Sequence, residues 1–197
     1  QGGFSGSGGG TSMIFPAPAW QTQNLPGATK RMQPDVSLLA DQNTGIVVVQ
    51  NASGNSAQIG AAGGTSVAAP QMAAMWALVL QACKQTSGCG NGSTGSHPYR
   101  LGNAAPLLYD IYGGKYAASA GGPAAFTAHL PYAQTFFDVV YGDTAQAVPG
   151  ATPAPGNLNP PLVAGCCSAT TGYDEATGVG VPFAGHLIQA ITGTAAP

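Results

Sequence analysis

The residues best suited to chemistry are Gly63-Gly64-Thr65-Ser66-Val67-Ala68-Ala69-Pro70, set where a glycine loop runs into an apolar stretch. Glycines permit a tight turn and close approach by a substrate. A serine at a helix N-terminus is exposed beside free backbone N–H groups and the positive end of the helix dipole. Those groups suit the oxyanion formed when a hydroxyl attacks a carbonyl. The bland reading is that Thr65 or Ser66 merely caps the helix, the commonest use of such residues. Asp138 and Asp174, taken alone, read as turn residues.

Composition narrows the setting. The 197 residues carry 5 Lys+Arg and 7 Asp+Glu, so charged residues are only 6% and the net charge is −2. That excludes the basic footprint of a nucleic-acid binder and a charge-driven disordered chain. With three histidines added, the fully protonated chain carries few positive charges, so acid self-repulsion stays mild. At 44% hydrophobic, the chain has material for one core. Its most apolar run, Met72 to Leu80, falls short of the roughly 20 residues of a membrane span. No zinc spacing is formed by Cys83, Cys89, Cys166 and Cys167. A Cys83–Cys89 disulfide fits an oxidising compartment, and the pairing of Cys166 and Cys167 stays open. The sequons at Asn51 and Asn91 matter only if the source glycosylates.

The elements that must position these groups follow from pattern. Pro34 to Leu39 reads as a short buried strand, and Ile46–Gln50 with Gln58-Ile59 as a hairpin. Residues 66–83 predict a helix apolar nearly all round, hence centrally buried, bent at its entry by Pro70. Ala104 to Tyr112 predicts a helix capped by Asn103, and Pro182 to Ile191 another. Val148 to Pro161 reads as an irregular loop. No repeat or domain boundary is visible.

Four ordered motifs together carry a resemblance. Gly64-Thr65-Ser66-x-Ala68-x-Pro70 resembles the nucleophile motif of subtilisin-like peptidases, with Gln71 where ordinary subtilisins have His. Ser7 to Ser12 leading to Phe15 to Gln21, Arg31 to Val36, and Phe137-Asp138-Val139 with Gly172 to Gly180 resemble the sedolisins, serine-carboxyl peptidases of subtilisin fold. The resemblance implies an α/β fold, a subtilisin-like parallel sheet flanked by helices. Residues 1–197 would form the C-terminal part of one catalytic domain. It implies Ser66 as nucleophile, and one Ca2+ held by Asp138 and Asp174 carboxylates with the carbonyls of Val139, Thr170 and Gly172. Thr170 stands where the family usually has Gly, which makes it the least secure ligand.

The family's base, a Glu supported by an Asp, and its oxyanion Asp all precede the nucleophile, mostly by more distance than the 65 residues before Ser66. The sole Glu, Glu175, follows a calcium ligand, and Asp35 and Asp41 match structural parts of the pattern. His97, His129 and His186 all follow Ser66 and read as surface or packing residues. The resemblance therefore implies a separate N-terminal chain of the same peptidase that supplies the carboxylates, with sheet edges and apolar helix faces exposed without it. A Glu base fits acid conditions, where His would stay protonated. The expected function is acid endopeptidase chemistry on polypeptide substrate, secreted or in a lysosomal or other acidic compartment, without nucleic acid or membrane as partner. The alternative is an inactive, calcium-stabilised binding or structural module. A low-charge adhesin explains the Gly/Ser composition but none of the motifs.

Overall fold

A computed structural model describes residues 6–41, 44–51, 57–85, 101–114, 128–147, 152, 155, 162–163 and 165–194. Strand β1 (Gly10–Pro16) and strand β2 (Lys30–Gln33) flank helix α1 (Ala19–Asn24). Strands β3 (Ile46–Gln50) and β4 (Gln58–Ala62) form the expected hairpin and lead into helix α2 (Thr65–Gln85). Helices α3 (Ala104–Gly113) and α4 (Tyr132–Thr135) precede strand β5 (Phe136–Phe137). Strands β6 (Gln146–Ala147), β7 (Leu162–Val163) and β8 (Val181–Pro182) lead to helix α5 (Ala184–Thr192).

The sheet differs from the expectation. The described strands pair only as antiparallel twos, β1 with β2, β3 with β4, β5 with β8 and β6 with β7, in place of a parallel sheet. Residues 36–40 form no strand. Their segment is held by scattered bonds instead: Val179 N–H donates to the Asp35 carbonyl at 2.9 Å and Ser37 N–H to Gly180 at 3.1 Å. A strand needs a regular ladder of bonds to one neighbour, and these isolated bonds to 179–180 and to Gly64 do not make one. Mixed helices and strands are nonetheless what an α/β fold requires.

Local signals worked where the element satisfies itself. Asn103 caps α3, its side chain accepting from Ala105 N–H at 3.2 Å, and Gly114 ends the helix in the left-handed region. The last helix begins at Ala184, later than expected, because Val181–Pro182 is used as strand β8 against β5. The core gathers Leu107, Leu108, Tyr109 and Ile111 of α3, Val79 and Cys83 of α2, Phe136 of β5, and Leu187, Ile188 and Ile191 of α5. Helix α2 packs on α5, and α1 on α3.

Helix α2 is not centrally buried among the described residues. Only Val79, Ala82 and Cys83 are buried, all in its second half. Ser66, Ala69, Pro70, Ala73, Ala74, Ala77 and Leu78 are exposed. On the hairpin, Val47, Val49 and Ile59 share one face by register, and Ile59 is 75% exposed. The 21-residue α2 contains an 18-residue window of mean hydropathy 1.3, so by length and composition alone it could cross a membrane, which its short continuous apolar run had not suggested. Cys83 is disulfide-bonded, while Cys89 lies outside the described residues, as do most of the loop from Val148 to Pro161, His97 and the Asn91 sequon. Cys166 and Cys167 are bonded to each other.

One buried carboxylate ties α1 to α3. Asp110 is 4% exposed and accepts from Asn24 Nδ2 at 3.3 Å. Asn24 Oδ1 lies buried without a donor, against Gly113, where a Cβ would sit 1.9 Å away. An ionised Asp110 must keep its charge out of water with this one amide donor, whereas a protonated one is neutral. Burial pushes Asp110 up from 3.8 to about 6, with the Asn24 bond opposing it. The folded state therefore holds this proton more tightly than the unfolded. The stability it brings is full below the unfolded value and is lost as pH rises through about 6. Asp110→Asn should flatten this dependence and stabilise the complete protein above pH 6 by about 2–3 kcal/mol, read as thermal unfolding against pH.

Candidate active site and cation site

Ser66 is the second residue of α2 and is exposed. Gly64, at φ +87°, turns the chain into the helix, and its carbonyl accepts from Val67 N–H at 2.9 Å and Ala68 N–H at 3.3 Å. The Thr65 and Ser66 N–H groups precede those bonds and stay free, as first-turn groups do. Gly64 N–H donates to the Ala40 carbonyl at 2.5 Å, fixing the turn to the 36–41 segment. Helix start, exposed hydroxyl and free donors thus coincide at one residue.

No base stands beside it among the described residues. His186 Nδ1 lies 2.5 Å from the Gln134 carbonyl, and His129 packs beneath Gly193. Glu175 accepts from the Thr11 hydroxyl. Asp35 pairs with Arg31 Nη2 at 2.6 Å, and Asp41 accepts from Thr44 N–H and hydroxyl at 3.0 and 2.7 Å.

The second candidate group does assemble. Asp138 Oδ2 accepts from Gly172 N–H at 2.8 Å, and Asp174 Oδ2 accepts from Thr170 N–H at 2.9 Å. Segment 170–174 is therefore drawn onto both carboxylates, with Val139 next in chain to one of them. Asp174 Oδ1 also accepts from Ala176 N–H at 2.9 Å, Thr177 N–H at 2.7 Å and the Thr177 hydroxyl at 3.1 Å. Backbone bonds between Asp174 and Gly178 close this turn in both directions. Sequence reading overlooked Thr177, although Asp followed three residues later by Thr is a side-chain turn signal.

Glycines bring the motifs into contact. A Cβ on Gly178 would lie 2.4 Å from the Asp35 carbonyl, and one on Gly180 would lie 2.4 Å from that of Phe137. At φ +66° and +95° both positions also favour glycine conformationally. Tyr112 Oη accepts from Tyr173 N–H at 2.9 Å, and a Cβ on Gly172 would meet the same hydroxyl at 2.8 Å. Burial raises the Tyr109, Tyr132 and Tyr173 hydroxyls above the ordinary range, so they remain neutral; the Asp138 charge adds to this at Tyr132.

The donor set fits a hard cation. Asp138 Oδ1 is a buried carboxylate oxygen with no hydrogen-bond partner. The two carboxylates supply only oxygen, the ligand type that calcium takes. Among the described residues, no three of His, Cys, Asp and Glu cluster as a metal site. Carbonyls must therefore complete any shell here.

No family model matches the chain. The structure resembles a Pseudomonas sedolisin, a serine-carboxyl proteinase solved with two molecules of pseudo-iodotyrostatin. That match has a TM-score of 0.53 and 22% identity, covering 88% of this chain and 33% of the other, and it shows the fold. In sequence, the chain is 32% identical over 173 residues to xanthomonalisin of Xanthomonas sp. (strain T-22). This match covers 84% of the chain but only 19% of the relative. The chain belongs to the sedolisin family of serine-carboxyl peptidases, and it spans a minor part of the length of these relatives.

Removing the Asp174 side chain leaves the N–H groups of Thr170, Ala176 and Thr177 without their acceptor. Asp174→Ala should cost about 2–4 kcal/mol of stability, measured by denaturant unfolding of the complete protein in chelator. Asp143→Ala, in an exposed turn, should cost less than about 1 kcal/mol.

Proposed function

We propose that this chain is the nucleophile-bearing part of an acid-acting serine-carboxyl endopeptidase. The observation that supports it most is Ser66 itself, exposed at the N-terminus of a 21-residue helix behind a left-handed glycine. Its Oγ attacks the peptide carbonyl and forms the acyl C–O bond while a Glu takes the hydroxyl proton. That Glu returns the proton to the departing amine as the C–N bond breaks, and water then hydrolyses the ester. The Ser66 N–H is one donor to the oxyanion.

The Glu, its supporting Asp and an oxyanion-hole Asp come, in this reading, from an N-terminal chain of the same peptidase. Two features favour that partner. No carboxylate among the described residues bonds Ser66, and the first half of α2 with the hairpin leaves apolar surface uncovered. Protein cover also accounts for the hydropathy of α2 without a membrane. Polypeptide is the substrate, nucleic acid is not a partner, and the enzyme works in a secreted, acidic setting. One Ca2+ is held by Asp138 and Asp174 with the carbonyls of Val139, Thr170 and Gly172. When bound it neutralises the paired carboxylates and ties segment 170–174 to β5.

A serine-directed phosphonate applied to the complete peptidase at pH 4 should label Ser66. Ser66→Ala should abolish labelling and lower peptide cleavage by on the order of 10³-fold or more. An unlabelled Ser66 in folded, complete protein overturns the reading. Chelation should lower the unfolding temperature by several degrees, and Asp138→Asn should remove that response, measured by thermal unfolding with and without added Ca2+.

A further inference from the structure

The first turns of α2 are not held by helical bonds alone. Pro70 lacks the N–H that would reach the Ser66 carbonyl one turn back, so the helix is weakest directly beneath the nucleophile. Gln71 follows. Its Nε2 donates to the Val67 carbonyl of its own helix at 3.1 Å and to the Leu39 carbonyl at 3.0 Å. The first bond fixes the amide along the helix, which leaves the second N–H aimed across at the 36–41 segment. Gly64 N–H donates to Ala40, the next residue of that segment, at 2.5 Å. Consecutive residues, Leu39 and Ala40, therefore take bonds from either side of Ser66.

We infer that Gln71 is a positioning residue for Ser66, an amide clamp that holds the nucleophile turn against the 36–41 segment equally at every pH. This rests on the reading of Ser66 as nucleophile. The residue type is what makes the clamp suit acid. Ordinary subtilisins have a His after this proline. Imidazole would acquire a positive charge below about pH 6.5, close to the positive end of the α2 dipole. The glutamine amide donates the same bonds with no charge to gain. On the clamped segment the charged side chain is Asp41, engaged by Thr44, and α2 carries its only charge, Lys84, in the last turn.

The test uses the complete peptidase with Gln71→Leu and Gln71→His. Gln71→Leu should lower kcat and the rate of Ser66 phosphonylation about 10-fold or more with KM within about twofold, by the same factor from pH 3 to 7. Gln71→His should match the wild type near pH 7 and fall progressively below the wild-type rate at the same pH from about pH 6.5 downward, a loss added to whatever pH dependence the general base imposes on both. Unchanged rates in Gln71→Leu, or parallel pH profiles for His and Gln, would overturn the clamp. Hydrogen exchange at the Gly64 amide, about 10-fold faster in Gln71→Leu, reads the clamp without activity. If the wild type never labels, the peptidase reading fails, and unchanged Gly64 exchange then overturns the clamp separately.

Discussion

Asp174 is the charge around which the rest of the described chain is arranged. One carboxylate accepts from the amides of Thr170, Ala176 and Thr177 and from the Thr177 hydroxyl, so a single side chain folds the whole 170–178 turn. A carboxylate holding several donors is among the stronger local restraints a protein can build. Because that turn is rigid, its glycines can press against backbone. Gly178 meets Asp35, Gly180 meets Phe137, and Glu175 carries its carbonyl to within contact of Gly9. Segments that are far apart in sequence, the glycine tract, the Arg31–Asp35 stretch and the Phe137–Asp138 stretch, thereby converge on one loop.

Charge poverty gives this convergence its form. With so few ions, the structure relies on neutral side chains to satisfy buried backbone. Gln21, fully buried, donates to the Met32 carbonyl and the Tyr109 hydroxyl, both at 2.9 Å, and accepts from Met32 N–H at the same distance. Trp20, Tyr109 and Tyr173 stack beside it, and Arg31 lies over Trp20 at 5.0 Å. Gln71 does the same work at the turn into α2, donating to the Leu39 and Val67 carbonyls. None of these bonds depends on a titrating group, so this scaffold carries over from neutral to acid conditions. Asp110 is the exception, its proton held up to about pH 6 by burial.

Elements whose reasons are local were legible. The β3–β4 hairpin, α3 with its Asn103 cap and the helical stretch of α2 each follow from turn residues, caps and periodicity over a few residues. The segment at 36–40 was not, because an isolated apolar run does not state what lies beside it. The burial of α2 misled for a related reason. An all-round apolar helix announces that something must cover it, and the described residues bury it fully only at Val79, Ala82 and Cys83, with Met72 and Trp76 half-buried against the core. The chain spans only 19% and 33% of the length of the relatives it matches.

By itself the sequence determined which chemistry is available: one serine at a glycine-led helix start, one glutamate, and few charged side chains in all. Residue type and short-range spacing are enough for that, since helix starts, caps and turns are decided within a few residues. Tertiary structure alone decided which groups meet. It seated Gly172 on Asp138, wrapped Thr170 and Thr177 onto Asp174, set Asn24 against Asp110 and aimed Gln71 at Leu39. Each of those bonds, apart from the turn within 170–177, depends on where a distant stretch of backbone comes to rest. Packing fixes that position, and no window of sequence contains it.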